Sequence, residues 1–162
     1  MQKTLSLIDA KTHVILLSSI SYYDAKPLVL EAEVLLKALH PKVTILRLGG
    51  LMGYNRIAGK YTAAKTAIVD SKTNYVHRDD VVDIIESIIE QKVEGEMLDI
   101  VAPLQSTKKR IFTQNAKQFG FEKTGFLEGL KAAKVLNPIK LCKVLDYRFI
   151  HRDVHNFWIG LS

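Results

Sequence analysis

HVILLS (residues 13–18), PLVLEAEVLLKAL (27–39) and VTILRL (43–48) are the three segments that decide the fold. The first and third are short apolar runs, which suit strands that are buried on both faces of a parallel sheet. In the second, Pro27 suits the first helical position and the leucines recur at helical spacing. A strand, a helix and a strand in this order predict a right-handed parallel crossover unit.

The rest of the chain continues to alternate short apolar runs with longer amphipathic ones, which is typical of α/β proteins. A glycine-containing loop runs from Gly49 to about Lys60. The elements predicted beyond it are a short helix at 61–69, a strand at 74–76, a helix at 80–91 capped by Asp79, a strand at 96–101, a helix from the cap Ser106 to Phe119, a helix at 139–146 and a last turn capped by Asp153.

The composition is that of a globular protein, since 48% of the 162 residues are hydrophobic and 25% are charged. No apolar run approaches the roughly 20 residues of a membrane span, and charges interrupt the apolar start, so neither an anchor nor a secretory signal is expected. Cys142 is the single cysteine, which fits a cytoplasmic protein. The net charge is +6. Because basic residues are spread along the chain, a solvated basic surface or a phosphate-bearing substrate is favoured over nucleic acid.

A glycine fingerprint for a dinucleotide is missing. Doubly wound folds carry G-x-G-x-x-G after their first strand. Neither that motif nor a P-loop lysine motif occurs in the chain. Gly49, Gly50 and Gly53 follow a strand, but their spacing differs and no helix is predicted to start there. The half of the fold that grips a pyrophosphate is therefore expected to be absent.

Six short motifs follow one another between residue 13 and about residue 150. They are VILLSSISYY (14–23), LEAEVLL (30–36), LRLGGLMGYNR (46–56), NYVHRDDVV (74–82), GEMLDIV (95–101) and LCKVLDYRF (141–149). In this order and spacing they resemble the C-terminal part of the extended short-chain dehydrogenase/reductase superfamily, in its NAD-dependent epimerase/dehydratase family.

The resemblance implies an α/β fold with an incomplete doubly wound parallel (Rossmann-like) sheet. Residues 1–60 would be the C-terminal half of the Rossmann-like domain. Residues 61–162 would be a small α/β substrate-binding region interleaved with the last sheet strand. Without its N-terminal half, the sheet is expected to leave the strands at 13–18 and 43–48 unpaired on one side, and such an edge invites association.

The family's chemistry needs a serine or threonine hydroxyl, a general acid–base tyrosine, and a lysine one helical turn later that lowers the tyrosine pKa. Ser19 falls at the hydroxyl position, and a serine that bonds its own backbone is the alternative. The resemblance implies further roles for seven residues: cofactor binding by Ser18, Gly49, Gly50 and Leu51, and substrate binding by Tyr23, Arg56 and His77. An exposed loop arginine and a structural histidine are the alternatives for the last two.

The tyrosine and lysine positions of the family fall on Ala25 and Val29, and neither residue can do that chemistry. Tyr22 and Lys26 form a literal Tyr-x-x-x-Lys. However, Lys26 precedes Pro27, which disfavours helical geometry at the lysine. The pair is therefore not expected to lie one turn apart on one helix.

No metal site is expected from the sequence. His151 and His155 are spaced four apart, as metal ligands on a helix can be, but no third ligand is evident. Asp79 and Asp80 are better explained as residues of a helix start than as a metal pair.

Three functions remain open. The first is an NAD(P)-dependent sugar-nucleotide epimerase or oxidoreductase, present here as a fragment or without catalytic activity. The second is a non-enzymatic binding or assembly module on the same fold, and the third, less favoured, is a basic nucleic-acid binder. NAD or NADP is expected for the full-length family but not for this chain alone. The expected partners are a nucleotide-sugar-like substrate and either a second copy or a complementing N-terminal fragment.

Overall fold

The computed structural model describes residues 8–9, 11–40, 42–64 and 67–158. Its strands are β1 (Ile15–Ser19), β2 (Thr44–Leu48), β3 (Gly50–Met52), β4 (Ile68–Ser71), β5 (Tyr75–His77), β6 (Met97–Ile100) and β7 (Phe126–Lys131). Its α-helices are α1 (Pro27–Leu39), α2 (Arg78–Glu90), α3 (Lys108–Phe119) and α4 (Ile139–Leu145). Short 3-10 helices cover Ile20–Asp24, Lys60–Thr62 and Val154–Asn156.

The main sheet has three parallel strands in the order β1-β2-β6. Helix α1 connects β1 to β2 and begins at Pro27, whose fixed φ suits the first helical turn. The predicted strand–helix–strand unit with adjacent parallel strands is therefore confirmed. The register places Ser18 opposite Arg47 and Arg47 opposite Asp99.

Each face of the main sheet is covered by helices. Side chains alternate along a strand, so Ile45 and Leu46 of β2 point to opposite faces. Ile45 packs with Leu36 of α1 on one face, and Leu46 packs with Ile84 of α2 and Leu141 of α4 on the other. This three-layer arrangement buries the central strand on both faces, as its apolar sequence predicts.

A second core lies around α3 and the end of the described chain. Ile111 and Phe112 of α3 pack there with Phe157 and Trp158. Two small parallel sheets, β3 with β5 and β4 with β7, flank this core. They bring residues 71–75 and 131–136 next to the main sheet.

Two predicted helix caps are displaced along the chain. The cap of α2 is His77, whose Nδ1 accepts from the backbone of Asp79, so Asp79 lies inside the first turn. The cap of α3 is Thr107, not Ser106, because the Thr107 hydroxyl accepts from the Arg110 amide. Asp153 caps Val154–Asn156 as predicted.

The predicted helix at 61–69 is wrong over the residues described. Helical geometry ends at Thr62, residues 65–66 lie outside the description, and β4 begins at Ile68. The strand forms because Ile68 pairs in parallel with Phe126, far away in the sequence. Such tertiary pairing overrides a local pattern. It also accounts for β7, which the sequence pattern did not predict.

No described helix combines the length and the apolar character that a membrane crossing needs.

The expectation of two half-paired strands is wrong for one of them. Strand β2 is paired on both sides, because β6 returns to its second edge. Among the described residues β1 is paired on one side only, and Leu17 on it is 53% exposed. Of the two strands expected to be half-paired, β1 is therefore the one at an edge, and β6 is the edge strand on the other side of the described sheet.

Leu17→Lys is expected to reduce self-association of the isolated chain, because a lysine on an edge strand opposes pairing with another strand. Val82→Lys on α2 is the matched control, since Val82 is 54% exposed but lies away from the edge. Gel filtration with light scattering measures both. A monomeric wild type, or an equal effect of Val82→Lys, would contradict association through β1.

Candidate functional site

The candidate site lies where the parallel strands of the main sheet end. In doubly wound folds, ligands bind in the crevice outside the carboxyl ends of the strands. The 3-10 helix Ile20–Asp24 follows β1 at this edge, and Gly49 and Gly50 follow β2. Tyr23 and Gly50 both line a cavity there.

A buried charge network underlies this edge. Ser18, Arg47 and Asp99 lie side by side on β1, β2 and β6. Arg47 Nη2 donates to Glu33 Oε2 of α1 at 2.7 Å, and Ser18 Oγ donates to Glu33 Oε1 at 2.7 Å. Glu33 is 1% exposed and Arg47 is 7% exposed. The two charges compensate each other inside the protein.

The network fixes the ionisation of its members. Burial alone would raise the pKa of Glu33, but the hydrogen bonds from Arg47 and Ser18 outweigh burial and hold that pKa below its ordinary value. Burial would lower the pKa of Arg47, yet the hydrogen bonds to Glu33 and Tyr23 and the nearby negative charge of Glu33 raise it. Both groups therefore stay ionised at neutral pH.

Two tyrosines contact the network, and one of them, Tyr23, also lines the cavity. The Arg47 guanidinium lies over the Tyr22 ring, with Cζ 3.4 Å from the ring centroid. The Tyr23 hydroxyl donates to Asp99 Oδ2 at 2.8 Å, and Lys134 Nζ lies 3.7 Å from the Tyr23 ring centroid. Burial and the bond to Asp99 raise the pKa of Tyr23, so its phenol stays protonated. Tyr23 is therefore a poor general base.

The literal Tyr-x-x-x-Lys is divided between two elements. Tyr22 belongs to the 3-10 helix, Ala25 is left-handed with φ 53°, and Lys26 is the extended residue before α1. Tyr22 and Lys26 do not share a helix, as the proline predicts. The assignment of the family's tyrosine and lysine positions to Ala25 and Val29 stays a prediction from the sequence.

The cavity at the edge has a volume of about 470 Å³ and a basic lining. Its lining contains one aspartate, Asp24, and four lysines. The lysines come from three segments of the chain, which carry Lys72, Lys108, and the pair Lys131 and Lys134. The segment carrying the last of these is held by Asn74, whose Nδ2 donates to Lys134 O at 2.7 Å and whose Oδ1 accepts from Leu136 N at 2.9 Å.

A smaller cavity of about 260 Å³ adjoins the first. Tyr23, Lys134 and Leu136 line both cavities, so they form the partition between them. Asp99 and Lys140 add one acid and one base to the smaller cavity. The two cavities therefore place a lysine-lined compartment next to one with mixed charges.

The predicted serines have internal partners. Ser19 Oγ accepts from the Ser21 amide at 3.1 Å and from Ser21 Oγ at 2.9 Å, so it caps the 3-10 helix. Ser18 donates to Glu33 as described above. These contacts agree with the structural alternative for Ser19, and the catalytic and cofactor roles of the two serines stay predictions.

The predicted glycines bring backbones close together. Gly49 N donates to Ile100 O, and Gly50 N donates to Asn74 O. A Cβ at Gly50 would lie 2.6 Å from the Tyr75 ring. Leu51 packs against the main core. Packing therefore explains the two glycines, and cofactor binding by the three residues remains a prediction.

The three residues predicted to bind substrate lie in different parts of the structure. Tyr23 lines both cavities. Arg56 is exposed in a turn closed by its own backbone with Gly53, and it lines neither cavity. His77 is 3% exposed and caps α2. The structure thus brings only Tyr23 of the three to the cavities.

The sequence analysis missed the residues that give the site its charge. The cavity lysines show no motif, because they come from three segments that lie far apart in the sequence. Arg47 did carry a signal: it is the one charge within the apolar run VTILRL. A charge in a buried strand requires a partner, and Glu33 lies in the helix that packs on that strand.

No protein-family model matches the chain. Protein YeeZ of Escherichia coli strain K12 is 30% identical over 114 residues, which cover 68% of this chain and 42% of that protein. Protein YeeZ of Escherichia coli O157:H7 gives the same values. The chain thus spans less than half the length of the curated relatives it matches.

Solved structures match over most of the chain. A proposed NAD-dependent epimerase/dehydratase from Methylobacillus flagellatus has a TM-score of 0.75 and 21% identity, and the match covers 97% of this chain and 71% of that one. UDP-glucuronic acid 4-epimerase from Bacillus cereus, in complex with UDP-glucuronic acid and NAD, has a TM-score of 0.67 and 18% identity over 84% of this chain and 56% of that one.

This chain has the fold of the NAD-dependent epimerases and dehydratases. The predicted α/β class and incomplete Rossmann-like sheet are confirmed by this epimerase/dehydratase fold. RMD from Pseudomonas aeruginosa, complexed with NADPH, shares the fold with a TM-score of 0.65 and 11% identity, over 94% of this chain and 68% of that one. At these identities the likeness concerns the fold.

Glu33→Gln is expected to destabilise the protein by about 3 kcal/mol at neutral pH, because it leaves the Arg47 charge buried without a counter-charge. The low pKa of Glu33 stabilises the fold above the ordinary glutamate pKa of 4.5, and this stabilisation is lost as the pH falls through the lower folded-state value. The difference from wild type should therefore shrink in acid.

Urea unfolding of both proteins across pH measures that difference. Glu31→Gln on the exposed face of α1 is the control and should change stability by less than about 0.5 kcal/mol. Equal effects of the two substitutions would show that the buried pair does not stabilise the fold.

Proposed function

We propose that this chain is the substrate-side part of an NAD(P)-dependent sugar-nucleotide epimerase-like or oxidoreductase-like protein, and that its lysine-lined cavity holds a nucleotide-sugar-like anion. The observation that carries the proposal is the convergence of Lys72, Lys108, Lys131 and Lys134 on one cavity at the carboxyl edge of the sheet. In this fold that edge is where ligands bind.

The size and charge of the cavity support a phosphate-bearing ligand. Its volume of about 470 Å³ falls within the range of small-molecule sites. Lysine ammonium groups bind phosphate oxygens as point charges. The smaller cavity, with Asp99 and Lys140, supplies both acceptors and donors for a sugar hydroxyl group. The complex of the Bacillus cereus epimerase with UDP-glucuronic acid supports the same ligand class.

The described residues do not fit NAD or NADP by themselves. The sequence has no glycine fingerprint, the amides of Gly49 and Gly50 are bonded within the protein, and the Ser18 hydroxyl is bonded to Glu33. The cofactor expected for the whole family would therefore be held by an N-terminal half. We propose that this half, or a second copy of the chain, pairs with β1.

The chain alone is proposed to be non-catalytic. Ala25 and Val29 stand where the family's acid–base pair would be, and the Tyr23 phenol is bonded to Asp99. A non-enzymatic binding or assembly module is the second candidate, and the same two residues favour it. One test distinguishes the two candidate functions. The chain is combined with an N-terminal half, and turnover of a nucleotide sugar is measured. Turnover that Ser19→Ala abolishes would identify an enzyme.

UDP-glucose is expected to bind the chain with a stoichiometry of one, measured by isothermal titration calorimetry. Lys108→Ala should weaken binding about threefold to fivefold, because one exposed charge contributes up to about 1 kcal/mol. Lys117→Ala, at the other end of α3, is the control and should leave affinity unchanged. Absence of UDP-glucose binding, or equal effects of the two variants, would contradict a lysine-lined ligand cavity.

NAD and NADP are expected to show no measurable affinity for the isolated chain, because the sequence has no glycine fingerprint for their pyrophosphate and the amides of Gly49 and Gly50 are bonded within the protein. Calorimetric titration with each dinucleotide tests this directly. Saturable binding in the micromolar range would show that residues of this chain suffice to hold the cofactor.

A further inference from the structure

The smaller of the two cavities is lined by a carboxylate with spare acceptor capacity. Asp99 of β6 is partly buried, and its two oxygens accept from the Tyr23 hydroxyl at 3.1 and 2.8 Å. No ion pair among the described residues includes Asp99, and Arg47, which also approaches the Tyr23 hydroxyl, is paired with Glu33. A carboxylate has about four acceptor sites, and one hydroxyl group donates one proton. Most of the acceptor capacity of Asp99 is therefore left for a ligand.

The two lysines that line the smaller cavity differ in how free their charge is. Lys140 Nζ lies 2.7 Å from Glu96 Oε2 and donates to a backbone carbonyl of β6 at 3.0 Å. Lys134 Nζ lies over the Tyr23 ring and forms no ion pair with another described residue. Because Glu96 compensates the charge of Lys140, the charge of Lys134 is the one available to a ligand.

The position of Lys134 gives the ligand a direction. Lys134 lines both cavities, whereas the other three lysines line only the larger one. Asn74 fixes the backbone at this boundary, because its side chain bonds Lys134 O and Leu136 N. Phosphates held by the lysines of the larger cavity, with Lys134 at the boundary, leave the smaller cavity to the group that the phosphates carry. For a nucleotide sugar, that group is the sugar.

We propose that the smaller cavity is the sugar subsite and that Asp99 makes it selective for a neutral, hydroxyl-bearing sugar over a sugar acid. This inference rests on the proposed function. Sugar hydroxyl groups donate to the Asp99 carboxylate, and hydrogen bonds to an ionised acceptor are the strong ones. The carboxylate of a sugar acid meets the like charge of Asp99 while Glu96 holds Lys140. The selectivity is opposite to the ligand of the UDP-glucuronic acid 4-epimerase that shares the fold.

The pairing of Lys140 with Glu96 gives the proposal a distinctive signature. Glu96→Gln frees the Lys140 charge, so affinity for UDP-glucuronic acid should rise about twofold to fivefold relative to UDP-glucose. A pair with a purely structural role would leave this ratio unchanged. Glu94→Gln is the matched control, because Glu94 pairs with Lys42 at 2.9 Å and lines neither cavity.

The test is calorimetric titration of the chain with UDP, UDP-glucose and UDP-glucuronic acid. Wild type should bind UDP-glucose about threefold to fivefold more tightly than UDP-glucuronic acid. Asp99→Asn keeps an oxygen that can accept from the Tyr23 hydroxyl but removes the negative charge. It should weaken UDP-glucose about fivefold, leave UDP within about twofold, and abolish the preference between the two sugars.

Two results would overturn the sugar subsite while leaving the proposed function intact. One is a wild type that binds UDP-glucuronic acid as tightly as UDP-glucose, and the other is an Asp99→Asn variant in which UDP and UDP-glucose lose affinity equally. Absence of binding by all three ligands would overturn the proposed function as well. Circular dichroism of each variant before titration shows that it is folded. If Asp99→Asn does not fold, the ligand ratios of wild type and Glu96→Gln decide the test.

Discussion

The pairing of β2 with a parallel neighbour on each side is the constraint on which the rest of the structure depends. It buries β2 on both faces and sets the register that aligns Ser18, Arg47 and Asp99. Because parallel strands end at the same edge, it also gathers the loops that follow β1 and β2. The two cavities form against those loops.

The register also determines which residue the inner face of α1 must carry. Arg47 projects toward that helix, and an uncompensated buried charge would be costly, so Glu33 is required there. Arg47 is then held between Glu33 and the Tyr22 ring, and Tyr23 is held by Asp99. The inner face of this helix therefore serves to bury an ion pair. The ligand-facing charge comes instead from lysines outside the main sheet.

The sequence predicts the main sheet well because β1, α1 and β2 are contiguous and their hydrophobic periods are clear. It fails where pairing is long-range: β4 forms only against β7, and residues 61–69 alone favour a helix. The residues of the candidate site also differ in how well the sequence predicts them. Tyr23 follows from a motif with fixed spacing, whereas the lysines converge from three segments that are distant in the sequence, which no local motif reveals.

The most direct measurement is a titration of the ¹⁵N-labelled chain with UDP-glucose, followed by amide chemical shifts. Binding in the lysine-lined cavity predicts that the largest changes fall in the segments 71–75 and 131–136, which line the cavity. Changes confined to residues 150–156, or no changes at saturating ligand, would contradict the assignment of this cavity as the ligand site.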